Sequence, residues 1–244
     1  MTPIAAGVGV QLHYRDDGDG RSILAIHGIG GSGDLLAGEL APLTKHGRLI
    51  TYERRGYGAS EAPEPYLATT VTEQSEDAAA LLAAIDAAPT LLVGVGFGAL
   101  IALDLCLRHA ALVCCAVLVD PPLYSLDLES TRELADQRGA IETALLAGSR
   151  EGAVAALLGA VATADLLTNA QANSAACFAD YGGLASLELT HAQLRNCDLP
   201  IRIISTSTAS QGLTRIAGEL NEMLGNSALL AGGDPAAAAE ALLD

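Results

Sequence analysis

Tryptophan is absent from the 244-residue chain, phenylalanine occurs only twice and lysine once, at Lys45. With aromatic residues at 3%, the core has to be built from small aliphatic side chains. Cations are equally scarce: 13 basic residues face 29 acidic ones, for a net charge of −16. That balance excludes nucleic acid as an expected partner, because phosphate binding needs a cationic surface. It also disfavours docking on anionic lipid. No apolar run of about 18 residues is present, so no membrane span is expected. Met1–Val10 has neither Lys nor Arg and no sustained apolar run, so a signal peptide is not expected. The five cysteines, an odd number, form no CxxC pair, which argues against a disulfide framework and a zinc site. Cys114 and Cys115 lie in an apolar run and read as small hydrophobes. A reduced, cytoplasmic protein without metal or cofactor is the expectation.

What is present is apolar and helix-friendly. Half of the residues are hydrophobic, 46 are alanine and 17% are charged, so the chain is globular and long enough for one large domain. Val8–Arg15 alternates and reads as an edge strand, turned at 16–20. Ser22–His27, Leu49–Glu53, Leu91–Val95, Val113–Asp120, Pro200–Ser205 and Ala228–Ala231 read as further strands. Leu35–His46, Thr72–Ala87, Phe97–His109, Leu213–Leu224 and Pro235–Leu243 carry helical spacing. Between about 124 and 196 only Ala/Leu-rich helical segments occur. Strands alternating with helices predict a mostly parallel sheet covered on both faces.

Three strand-to-helix turns carry glycine: His27-Gly28-Ile29-Gly30-Gly31-Ser32-Gly33, Arg55-Gly56-Tyr57-Gly58-Ala59-Ser60 and Gly94-Val95-Gly96-Phe97-Gly98-Ala99. Gly28, Gly30 and Gly33 fit a dinucleotide fingerprint, with Glu53 closing the next strand, and Gly94, Gly96 and Ala99 fit a second, with Asp120. The order of all three turns, followed by Asp120-Pro121-Pro122, a helical insert, a Pro-led strand and a closing helix, resembles instead the α/β-hydrolase superfamily. The likeness runs over nearly the whole chain. It implies an α/β fold with a mostly parallel sheet flanked by helices, a core at 1–121 and 198–244, and an inserted helical lid at 122–197.

The resemblance also marks where a catalytic triad belongs. The elbow of that superfamily is G-x-S-x-G; here Gly94 and Gly98 flank Gly96, which has no side chain. The stretch matched to the acid, Ser205–Ser210, holds no carboxylate, and the stretch matched to the histidine, Asn226–Leu229, holds no histidine. A serine hydrolase needs all three groups in reach of one another. The expectation is therefore a degenerate, non-hydrolytic small-molecule enzyme of cyclase, lyase or isomerase type, with natural-product biosynthesis as the setting the resemblance implies. The alternatives are a ligand- or partner-binding pseudoenzyme and a nicotinamide-dependent oxidoreductase.

The resemblance makes the Ile29 and Phe97 amides the oxyanion donors. Asp120, at the carboxyl edge of a strand, is the candidate acid or base; His27 and Tyr124 are candidates to assist proton transfer. Ile29, Gly96, Phe97 and Tyr57 are placed at the substrate, expected to be a small apolar carbonyl compound. Glu53 is expected to make a local ion pair with Arg54 or Arg55. The small residues of the insert either line a roomy apolar pocket or pack it shut.

Overall fold

The computed structural model describes residues 3–243. Eight strands, β1 (Ile4–Ala6), β2 (Gln11–Asp17), β3 (Ser22–Ile26), β4 (Arg48–Tyr52), β5 (Thr90–Val95), β6 (Val113–Val119), β7 (Ile201–Ser205) and β8 (Ser227–Ala231), form one sheet. Its order is β1-β2-β4-β3-β5-β6-β7-β8. The pairs β1–β2 and β2–β4 are antiparallel and all others parallel.

Alternation along each buried strand feeds two separate cores. Leu24, Ile26, Leu92 and Leu118 point to one face. There they meet α2 (Val71–Ala84), α3 (Phe97–Arg108) and α9 (Gln211–Met223) through Leu82, Leu100 and Ile216. Ile23, Ala25, Leu91, Val93 and Val117 point to the other, beneath α1 (Gly33–Glu39) and α10 (Pro235–Leu243). A strand covered on both faces must be apolar at successive positions, which explains the unbroken runs in the sequence. Small residues serve the packing directly. A β-carbon on Gly94 would lie 2.4 Å from the Gly98 carbonyl oxygen, and one on Gly98 2.1 Å from that of Ile26. These two glycines let α3 approach the sheet.

Between β6 and β7 the chain forms α4 (Ser130–Leu146), α5 (Arg150–Leu158), α6 (Ala164–Ala172), α7 (Ser174–Gly183) and α8 (His191–Arg195). The first four share a third cluster in which Val154, Leu157, Ala170 and Ala176 pack around Tyr57, while Leu194 of α8 joins the first core. Among the described residues no helix is long and apolar enough to cross a membrane.

Two local expectations change. The alternating segment is not the sheet edge: β1 pairs outside β2, and three residues are too few to show a period. The helix expected over Leu35–His46 breaks after Glu39 and continues as a 3-10 turn, Ala41–Lys45, where Pro42 has no amide to donate.

Candidate functional site

The carboxyl ends of β3, β5 and β6 converge on one point. Gly96 joins β5 to α3 with φ +54° and ψ −119°, a backbone that side chains rarely adopt. A β-carbon there would meet nothing nearer than the Gly28 α-carbon at 3.9 Å, so the space at the elbow is open. The Gly96 amide donates to Val119 at 2.9 Å, which sets Asp120 beside the elbow.

The turn after β3 is clamped from several sides. Arg54 donates to the Gly28 carbonyl at 3.1 Å, and the Gly30 amide donates to the Tyr57 hydroxyl at 3.3 Å. Asn169, on α6, donates to the carbonyls of Gly30 and Gly31 at 2.8 and 2.9 Å. The Ile29 amide is left without a partner among the described residues, as is the Phe97 amide in the first turn of α3. Unpaired amides at a helix start attract negative charge.

Behind the turn lies a buried polar cluster. Arg54 and Asp180 form an ion pair at 2.6 Å with neither side chain exposed. Asp180 also accepts from Tyr57 at 2.7 Å and Gln74 at 2.8 Å. The Arg54 guanidinium lies 4.8 Å from the Tyr57 ring centre and 5.2 Å from that of Phe97. Burial alone would lower its proton affinity, but Asp180 more than reverses this and holds it charged. His27 sits against the same cluster. Its Nε2 accepts from the Arg54 amide at 3.2 Å, so Nδ1 carries the proton and donates to Gly28 at 2.9 Å. Burial, reinforced by the Arg54 charge, pushes the imidazole well below its usual range. With both nitrogens occupied, His27 is a neutral structural group rather than a proton carrier.

Asp120 has φ +44°, a strained conformation of the kind that collects at functional sites. Its carboxylate accepts from the Thr206 amide at 2.9 Å and the Thr206 hydroxyl at 2.5 Å, both just past β7. A cavity of about 800 Å³ opens over this point, lined by Ile29, Gly96, Phe97, Asp120 and Tyr124 and walled by Leu157, Leu158, Leu166 and Leu184. The alanine-rich insert thus leaves space. Tyr124 is half-buried, and its hydroxyl has no partner among the described residues. Burial pushes its pKa up to about 12, so it keeps its proton.

Sequence comparison adds to this geometry. The model of the alpha/beta hydrolase family matches residues 23–243. The chain belongs to that family. Among curated relatives, "Uncharacterized hydrolase YraK" of Bacillus subtilis is 36% identical over 118 residues, covering 48% of this chain and 44% of the relative. "Putative non-heme bromoperoxidase BpoC" of Mycobacterium tuberculosis is 38% identical over 112 residues, covering 45% and 42%. The matched stretch therefore spans less than half the length of these relatives. A solved esterase from Exiguobacterium antarcticum superposes with a TM-score of 0.77 at 18% identity, covering 96% of this chain and 91% of its own, and so shares the fold.

These findings overturn the expected function. A family of hydrolases and relatives named as hydrolases point to a hydrolytic enzyme, not to a cyclase, lyase, isomerase, pseudoenzyme or nicotinamide-dependent oxidoreductase. Empty nucleophile, acid and histidine positions exclude an acyl-enzyme route but not hydrolysis, because water itself can attack a carbonyl. At the first turn the Glu53 carboxylate, cast for a ribose, accepts instead from the Gly33 amide at 2.9 Å through Oε1. Nor does Glu53 pair locally with its arginines. Arg54 takes Asp180 and Arg55 takes Asp77, both far along the chain. Tyr57, placed at the substrate by the sequence, is fully buried and lies outside the cavity lining. Asn226–Leu229, expected to stand where the resemblance puts a histidine, runs into β8, and the turn that leads from β8 to α10 is Gly232-Gly233-Asp234. Asp234 caps α10, accepting from the Ala236 and Ala237 amides. Among the described residues no group of three His, Cys, Asp or Glu side chains is placed to hold a metal ion.

Proposed function

We propose that the protein hydrolyses an uncharged, apolar ester- or lactone-type substrate by direct attack of water. The observation that carries this reading is the open space at Gly96 in a cavity lined by Asp120, with the unpaired Ile29 and Phe97 amides on the flanking turns. A water molecule in that space takes the place of a serine hydroxyl. Asp120 accepts its proton as the oxygen attacks the carbonyl carbon, contributing about 10²–10⁴-fold as a general base. The Ile29 and Phe97 amides hold the oxyanion, each donor worth about 10²–10³-fold. Collapse expels an alkoxide, which takes the proton back from Asp120 and so restores the carboxylate, and no acyl-enzyme forms. The helices at 122–197 act as the lid that shuts the apolar wall over the site.

Charge selects the substrate. Glu39, Asp120, Glu133 and Asp165 line the cavity, and its one basic residue, His27, is held neutral. A substrate carboxylate would face several like charges in a partly dry site. The test is steady-state and burst kinetics on neutral p-nitrophenyl esters and lactones, beside matched half-esters bearing a free carboxylate. Neutral substrates are expected to turn over faster, without a burst and without labelling by a serine-directed phosphonate. Asp120→Asn should lower kcat at least 100-fold, and Gly96→Ser should lower it by displacing the water. A burst, a phosphonate adduct on the unaltered protein, or an undiminished Asp120→Asn variant would overturn the reading.

A further inference from the structure

Consecutive side chains on a strand point to opposite faces, so neighbouring cysteines on a strand do not normally meet. At the start of β6 they do. Thr90 pairs with Val113 and Leu91 with Cys115, leaving Cys114 as an extra residue without a partner across β5. Such a β-bulge sets two residues against one and disrupts the alternation. The two sulfurs stand 3.4 Å apart. Cys114 is exposed and Cys115 is buried directly behind it.

We propose that Cys114 and Cys115 form a redox site, a vicinal dithiol that low-molecular-weight disulfides of the glutathione class oxidise to an intramolecular disulfide. The two thiols are differentiated for such a reaction. The thiol of Cys115 stabilises a neighbouring thiolate, with a smaller contribution from Arg21, and brings Cys114 down to about 6; the same contact pushes Cys115 up. Exposed thiolates are the reactive ones. The Cys114 thiolate attacks one sulfur of the disulfide, forming a mixed disulfide and releasing one glutathione thiolate. Cys115 then gives up its proton and attacks the Cys114 sulfur, expelling the second. Two protein thiols are oxidised and one glutathione disulfide is reduced to two thiols. Cys106, Cys177 and Cys197 are buried, so Cys114 is the exposed thiol among the five. The site lies at the amino end of β6, whereas Asp120 follows its carboxyl end, so it stands apart from the proposed hydrolytic centre.

The test is intact-mass spectrometry of the full chain after exposure to glutathione disulfide, with peptide mapping over residues 109–132. The unaltered protein is expected to lose two hydrogens, with Cys114 and Cys115 alone becoming resistant to alkylation, and to recover both thiols under dithiothreitol. Cys114→Ser should stay reduced, and Cys115→Ala should accumulate a single glutathione adduct on Cys114. Three results on the unaltered chain overturn the proposal irrespective of how the variants fold. They are no change in mass, a glutathione adduct that never resolves, and a disulfide that maps to other cysteines.

Discussion

Removing the charge of Asp180 should be among the most damaging single changes in the molecule. The carboxylate accepts from Arg54 twice, at 2.6 and 3.2 Å, and once each from Gln74 and Tyr57. Asp180→Asn keeps the shape and an acceptor oxygen but strands the Arg54 guanidinium in a site with no solvent exposure. Two unit charges about 4 Å apart attract by about 4 kcal/mol at an effective dielectric constant of about 20. Breaking one side of a buried pair accordingly costs about 3–5 kcal/mol. For a chain of this size that lowers Tm by about 6–20 °C. Arg54→Met removes the stranded charge, so the double variant Arg54→Met, Asp180→Asn should be more stable than the sum of its parts by about 2 kcal/mol or more. Urea unfolding followed by circular dichroism measures all four corners of this cycle. A loss below about 1 kcal/mol in Asp180→Asn, or strict additivity in the double variant, would refute the account of the cluster. The same variants should lose activity beyond their stability loss, because Arg54 and Tyr57 hold the turn that presents the Ile29 amide.

Two further outcomes follow from glycine geometry and from His27. Gly98→Ala drives a β-carbon into the Ile26 carbonyl and should cost about 3 kcal/mol or more, as severe overpacking does. Gly96→Ala meets open space and should cost only the about 1–3 kcal/mol of its positive φ, so thermal unfolding should rank the two in that order. The folded state disfavours protonated His27 while the unfolded chain takes a proton normally, so stability falls as pH drops below the ordinary histidine range. The slope is up to about 1.4 kcal/mol per pH unit. Glu39 and Glu53, raised by burial, contribute with the opposite sign near and above the carboxylate range. Subtracting the pH profile of His27→Asn from that of the unaltered protein isolates the histidine. A flat difference between pH 6.5 and 5 would show that the buried imidazole is protonated in the fold.

The order of strands and helices was legible in the chain because its signals are local. Apolar runs such as Leu91–Val95 and Val113–Val119 are short and bounded by glycine or proline, and each became a strand within a residue or two. The glycines flanking the elbow could be read as a turn before their purpose was visible. Where local signals failed, the competing cause was local too: Pro42 ended α1 early, and β1 was too short to carry a period.

By itself the sequence determined that this is an alternating α/β chain with an inserted run of helices, that position 96 has no side chain, and that the surface is strongly acidic. Tertiary structure decided which groups belong together. Arg54 meets Asp180 across 126 positions, Glu53 turns to an amide instead of its neighbouring arginines, and Tyr57 leaves the site for the cluster behind it. Partner choice among distant charges depends on which burial leaves fewest polar groups unsatisfied, and no local pattern records that. The cavity over Gly96 and the bulge that joins Cys114 to Cys115 are products of packing and register in the same way. Composition supplied small side chains; only their arrangement in space made them a site.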